Sequence, residues 1–146
     1  MKKGFTILEL LVVISVLVIL IGIAIPRFKG MQDAARVSQV KGELQTMQSA
    51  VETYYMNVTP KAYPVNSATV GASLLSTASP QIITTTLPYD PFAAANVEYN
   101  YKVAADGKYY VLTSVGAAAT GTTTIVSGGT VTVASNALCV TNGSGC

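Results

Sequence analysis

The 146-residue chain has no histidine and no tryptophan, only two cysteines, and few charges, which make up 11% of it. Without histidine there is no Ser–His or Cys–His dyad, and the commonest general base and the usual zinc ligand sets are missing too. Nine Lys+Arg against seven Asp+Glu leave a net charge of +2, too little for a nucleic-acid reader driven by phosphate neutralisation. The expectation is therefore no catalytic residue, no metal, no cofactor and no nucleic-acid partner. What is plentiful is apolar surface. Half the residues are hydrophobic and the mean hydropathy is +0.46, high for a domain in water. The length allows at most one globular domain.

The apolar excess sits at the front. Phe5 to Ile25 is nearly all Ile, Leu and Val, interrupted by Thr6, Glu9, Ser15 and Gly22. As a helix it spans roughly 30 Å, one bilayer core. Lys2 and Lys3 precede it, so the start faces the cytoplasm and the rest is exported. A cleaved secretory signal has a shorter apolar run followed by a small-residue site; here Arg27 and Lys29 follow instead. A plain single-span anchor, with Glu9 snorkelling to the headgroups, is one reading. The other gives Glu9 a partner, since an acid in a membrane helix is expensive and usually functional.

Pro26 removes a backbone donor and crowds the preceding turn, which predicts a kink or a melted turn around Gly22–Pro26. Beyond it, Val37, Val40, Leu44, Met47, Val51 and Tyr54 recur every three or four residues among polar neighbours. That is the apolar stripe of an amphipathic helix, better suited to packing on a sheet than to a short coiled-coil seam. One helix from Phe5 to Asn57 is expected. Its apolar half has no partner within the chain and must lie in lipid or against copies of itself.

After Asn57 the chain turns rich in Thr, Ser, Ala and Gly, and five of its six prolines fall between residues 58 and 96. A long loop over 58–96 is predicted, with a short helical turn near Ala72–Ser76. Val97, Tyr99, Tyr101 and Val103 alternate with Glu98, Asn100 and Lys102, a half-buried strand. Asp106-Gly107 marks a hairpin into a strand over Tyr109–Val115. Ser127-Gly128-Gly129 marks a second hairpin, between Thr122–Val126 and Thr130–Ala134. The fold class is α+β: a long N-terminal helix and an antiparallel sheet of about four strands.

The string Lys3-Gly4-Phe5-Thr6-Ile7-Leu8-Glu9-Leu10-Leu11-Val12-Val13, with Pro26 just past the apolar run, resembles the N-terminus of the type IV pilin and pseudopilin superfamily. The resemblance covers roughly the first 60 residues. It implies the pilin fold, cleavage by a prepilin peptidase between Gly4 and Phe5, and N-methylation of the new Phe5 amine. It also implies an inner-membrane precursor that an assembly platform extracts into a homopolymeric filament at the cell surface. Cleavage takes the side-chain charge from +2 to zero, because Lys2 and Lys3 leave with residues 1–4. In a filament core Glu9 can then pair with the Phe5 amine of a neighbouring subunit. Such a pair sets register as well as attraction.

A second resemblance runs through Ala62-Tyr63-Pro64, Ser73-Leu74-Leu75, Leu87-Pro88-Tyr89-Asp90-Pro91-Phe92, Tyr99-Asn100-Tyr101 and Gly107-Lys108-Tyr109. These blocks are similar to the major pseudopilin of type II secretion. Members of that family bind calcium in an acidic loop, but no Asp or Glu follows Asp106 here, so no tight calcium site is expected. Simple sheet packing accounts equally for the tyrosines. Cys139 and Cys146 lie in the exported, oxidising part, either as two free thiols or as a disulfide. The disulfide resembles the C-terminal loop of many type IV pilins and would restrict the unfolded chain by roughly 2.5 kcal/mol. Asn57-Val58-Thr59 and Asn142-Gly143-Ser144 match glycosylation acceptors.

The organisation read from the sequence is a leader (1–4), an assembly helix (5–26), an amphipathic helix (27–57), a loop (58–96) and a sheet closed by the cysteines (97–146). Three functions remain open. The first is a structural subunit of a type IV pilus, not an enzyme. The second is a pseudopilin of a secretion piston. The third is a membrane-tethered module whose Tyr-rich sheet binds a ligand.

Overall fold

The computed structural model describes residues 4–64, 82, 88–94, 96–116, 122–133, 135 and 137–146. The described residues form α1 (Ile7–Asn57), β1 (Asn100–Val103), β2 (Tyr110–Ser114), β3 (Thr124–Ile125), β4 (Val131–Thr132) and β5 (Leu138–Thr141). They divide into two compact units, Met1–Ala35 and Arg36–Cys146. The helical turn expected at Ala72–Ser76 lies outside the described residues.

In the first unit the helix begins two residues later than expected, at Ile7. The reason is local: Thr6 is its N-cap. Pro26 lies inside α1 and the backbone stays helical through Gly22–Pro26. A melted turn there is therefore not present. One missing donor interrupts one rung of the ladder, and the Ile and Leu turns on the N-terminal side keep the rest. Ser15 donates its hydroxyl to the Leu11 carbonyl at 2.7 Å, so this polar group in the apolar run needs no outside partner.

The second unit is built on the stripe. Val40, Leu44, Met47 and Val51 are buried, while Val37 and Tyr54 at its ends are only half-buried. The core forms where they meet Tyr63, Tyr99, Tyr101, Tyr110 and Leu112. β2 is the central strand of a three-stranded antiparallel sheet ordered β1-β2-β5, and β3 pairs with β4 in a separate two-stranded sheet. A single sheet of about four strands is thus corrected to three plus two. The strand that sequence reasoning missed is β5, which pairs Val111–Ser114 with Leu138–Thr141. Being central, β2 is buried at all five positions. The alternation is as predicted for Tyr101 and Lys102 in β1 and for buried Tyr99 just before it, but Val97, also before the strand, is exposed.

Both hairpin signals are used. Ala104 N bonds Tyr109 O at 2.8 Å, Gly107 N bonds Ala104 O at 2.9 Å, and Gly107 takes φ +67°. In the second hairpin Val126 N bonds Thr130 O at 3.2 Å. There Gly129 has φ +78°, and a Cβ at this position would lie 2.7 Å from Tyr109 Cε1, so only glycine fits.

The polar groups of this core are paired rather than orphaned. Glu52 accepts from the phenols of Tyr63 and Tyr110, each at 2.9 Å. Tyr99 donates to Glu43, and Tyr101 to the Pro64 carbonyl at 2.9 Å. Asn142 uses both ends of its amide: Oδ1 accepts from Tyr110 N at 2.9 Å, and Nδ2 donates to Lys108 O at 2.9 Å and to the Tyr63 hydroxyl at 3.2 Å. A glycan on Asn142 would have to disrupt this arrangement.

Asp90 is only 4% exposed. Its Oδ1 accepts from Phe92 N at 2.9 Å and its Oδ2 from Val115 N at 2.7 Å. The Asp-Pro-aromatic block is thereby a fastener between a loop and the end of β2. Asp90→Ala orphans two backbone donors and is expected to cost about 3 kcal/mol. Urea unfolding of the purified chain followed by circular dichroism measures it; a loss near zero would mean that water replaces the carboxylate freely.

Candidate assembly site

The N-terminal site is built by a short polar cluster at the start of an apolar helix. Gly4 and Phe5 precede α1, and Phe5 is 82% exposed. Thr6 and Glu9 form a capping box. Glu9 N donates to Thr6 Oγ1 at 3.2 Å, while Glu9 Oε2 accepts from Thr6 N at 3.0 Å and from Thr6 Oγ1 at 2.9 Å. The reciprocal bonds satisfy two of the free donors of the first turn. The carboxylate also sits at the positive end of the helix dipole.

This geometry holds Glu9 next to the Phe5 backbone with Oε2 already occupied. Thr6 is the member of the site that sequence reasoning missed. Its signal was the Thr-x-x-Glu spacing itself, read above only as part of a family string. Gly22 and Pro26 lie more than three turns further along α1 and do not join the cluster.

Below the cluster the helix surface is bare. Among the described residues one helix is long and apolar enough to cross a membrane, and its apolar window has no residue buried within the chain. Large side chains from Ile7 to Met31 are exposed all round it. An isolated helix of this kind has no stable place in water.

At the other end of the chain Cys139 and Cys146 are joined in a disulfide, with Cα atoms 5.7 Å apart. Cys139 stands on β5. The bonded segment returns beside the second hairpin, where Ser144 N bonds Gly129 O and Val131 N bonds Ser144 O, both at 2.8 Å. Thr130 and Ser144 form a parallel bridge. The cysteines thus fasten the two sheets rather than close an idle loop. Among the described residues no group of three His, Cys, Asp or Glu is placed to hold a metal.

The family described as "Prokaryotic N-terminal methylation motif" matches residues 1–25. The chain is similar to the type IV major fimbrial protein FimA of Dichelobacter nodosus, 40% identical over 53 residues, which is 36% of this chain and 34% of that protein. It is similar to the type IV major pilin protein PilE1 of Neisseria gonorrhoeae, 33% identical over 73 residues, 50% of this chain and 43% of that one. A fimbrial protein of Neisseria meningitidis serogroup B is 33% identical over 76 residues, 52% and 44% of the two chains. The chain thus spans less than half the length of these relatives. No solved structure matches it. Its N-terminal segment is that of the type IV pilin superfamily.

Proposed function

We propose that the protein is the structural subunit of a type IV pilus. The observation that carries this is the helix surface from Ile7 to Met31, apolar and unburied within its own chain, headed by a charged cluster. In the precursor this surface lies in the inner membrane. After cleavage between Gly4 and Phe5 and methylation of the Phe5 amine, the helices exchange lipid for one another, and the sheet-bearing units face outward. Glu9 offers its second oxygen to the Phe5 amine of a neighbour. The peptidase, the methyltransferase and the assembly platform are its partners, and it performs no reaction of its own. The relatives named above, which are pilins and fimbrial proteins, support this reading over the pseudopilin one. The fastener at Asp90 is the feature that the pseudopilin reading has in its favour, and it serves the fold under either.

The test is direct. Filaments sheared from cells should consist of this chain, with a mass corresponding to methylated Phe5 as first residue. A chain that keeps Met1 and forms no filaments returns the protein to a tethered monomer. Short periplasmic filaments that depend on a secretin and export another protein would select the pseudopilin.

A further inference from the structure

The first unit carries a groove of about 350 Å³ lined by Leu20, Ile23, Ala24, Arg27, Phe28 and Met31. These positions share one face of a helix, and the small Ala24 lies between longer side chains one turn above and below. The groove is an open face rather than an enclosed cavity: Leu20, Ile23, Phe28 and Met31 are each more than half exposed. Five of the six residues are apolar. Arg27 is the exception, and the positions within its reach along the helix, Ile23, Ala24, Gly30 and Met31, offer no carboxylate. Lys29, two residues on and thus on the opposite face, has Asp33 one turn away. The only acid before Asp33 is Glu9, about 27 Å up the helix. A permanent cation therefore stands on an apolar face directly after the span Phe5–Ile25.

We propose that Arg27 and this groove bind an anionic phospholipid of the leaflet at which the span ends. The proposal rests on the membrane-inserted precursor of the preceding section. The guanidinium presents a planar fork of donors that matches a phosphate, and it is weakly enough hydrated to sit beside apolar surface. Phe28 takes the headgroup level, as aromatic residues at membrane boundaries do. An acyl chain continues from Arg27 past Ala24 and Ile23 toward Leu20, into the span. A soluble anion has no use for the apolar part of the groove. A lipid supplies both halves in one molecule, and an anionic one brings no ammonium of its own to compete with Arg27.

The experiment reconstitutes the full chain in phosphatidylcholine vesicles with a trace of spin-labelled phosphatidylglycerol or phosphatidylcholine, and reads the fraction of each label that is motionally restricted. The expected result is a preference for phosphatidylglycerol that falls about fivefold in Arg27→Gln, whereas Lys29→Gln, which removes the same charge from the other face, keeps most of it. Lys2 and Lys3 contribute equally to every variant. Equal losses in the two variants, or none in Arg27→Gln, overturn the proposal. If neither label is restricted, the chain is not in the bilayer, and it is the membrane reading that has failed.

Discussion

Glu9→Leu is expected to reduce filament yield about a hundredfold or more while leaving the sheet-bearing unit folded. On the proposed pairing the carboxylate neutralises the amine of another subunit in a dry filament core, and stranding one member of a buried pair is worth about 3–5 kcal/mol, two to four decades in an equilibrium. The capping box complicates this simple reading, because Glu9 also closes the first turn of its own helix through Thr6. Two further variants separate the roles. Glu9→Gln can still accept from Thr6 N, so it keeps the cap and loses only the charge; it should fail nearly as badly as Glu9→Leu. Thr6→Val loses the cap and keeps the charge, a loss of about 1 kcal/mol, and should lower the yield only about fivefold. Filament yield by shearing and sedimentation reads all three. Normal assembly of Glu9→Gln would leave the cap as the whole function of this residue.

Alkaline pH is expected to unfold the second unit steeply. Burial raises the phenols of Tyr63, Tyr99, Tyr101 and Tyr110 well above the ordinary tyrosine range. Desolvation is the leading cause for all four. The Glu52 carboxylate adds to it for Tyr63 and Tyr110, Glu43 for Tyr99, and the neighbouring phenols for Tyr101. Above a pH of about 10 the unfolded chain releases these protons, while the folded chain still holds them. Stability is then intact below pH of about 10 and falls as the pH rises past it.

Each phenol contributes up to about 1.4 kcal/mol per pH unit, and four together about 5.5. That is enough to exhaust an ordinary domain's stability within one or two units. Urea midpoints measured across this range should be flat at first and then drop, with phenolate absorbance rising together with unfolding. Tyrosines that ionise progressively with the circular dichroism unchanged would show that the hydroxyls are more open to solvent than their burial implies. Tyr101→Phe should make the slope shallower by about a quarter, at the loss of the bond to Pro64 and roughly 1 kcal/mol below pH of about 9.

The aromatic network explains why the tyrosines that resemble a pseudopilin's need no ligand. Tyr55 stacks on Tyr63 with ring centroids 4.6 Å apart, and Tyr63 lies 4.7 Å from Tyr110 in a tilted arrangement. The hydroxyls of Tyr63 and Tyr110 end on Glu52, and Asn142 donates to that of Tyr63. The rings of Tyr63 and Tyr110 lie in the core, and Tyr55 packs against it. Such a network holds helix, loop and sheet in one register.

The sequence by itself determined the features set by local rules. Alternation and turn chemistry placed β1 and both hairpins, because their contacts are between near neighbours in the chain. The three- and four-residue spacing placed the stripe from Val40 to Val51, because a helix face is fixed by the backbone alone. The bare apolar segment and the acid at Glu9 were equally plain, since nothing downstream is apolar enough to cover 21 such positions.

Only the tertiary structure decided what depends on distant segments. β5 carries too ordinary a string to declare itself a strand; it becomes one because the free edge of β2, more than twenty residues earlier, offers it hydrogen bonds. With β1 and β5 on its two edges β2 takes no further neighbour, and β3 and β4 pair with each other in the second sheet. The buried role of Asp90 likewise waits for Val115 to arrive beside it. Long-range pairing is chosen by which edges and donors remain open once the core has closed, and that information is spread over the whole chain.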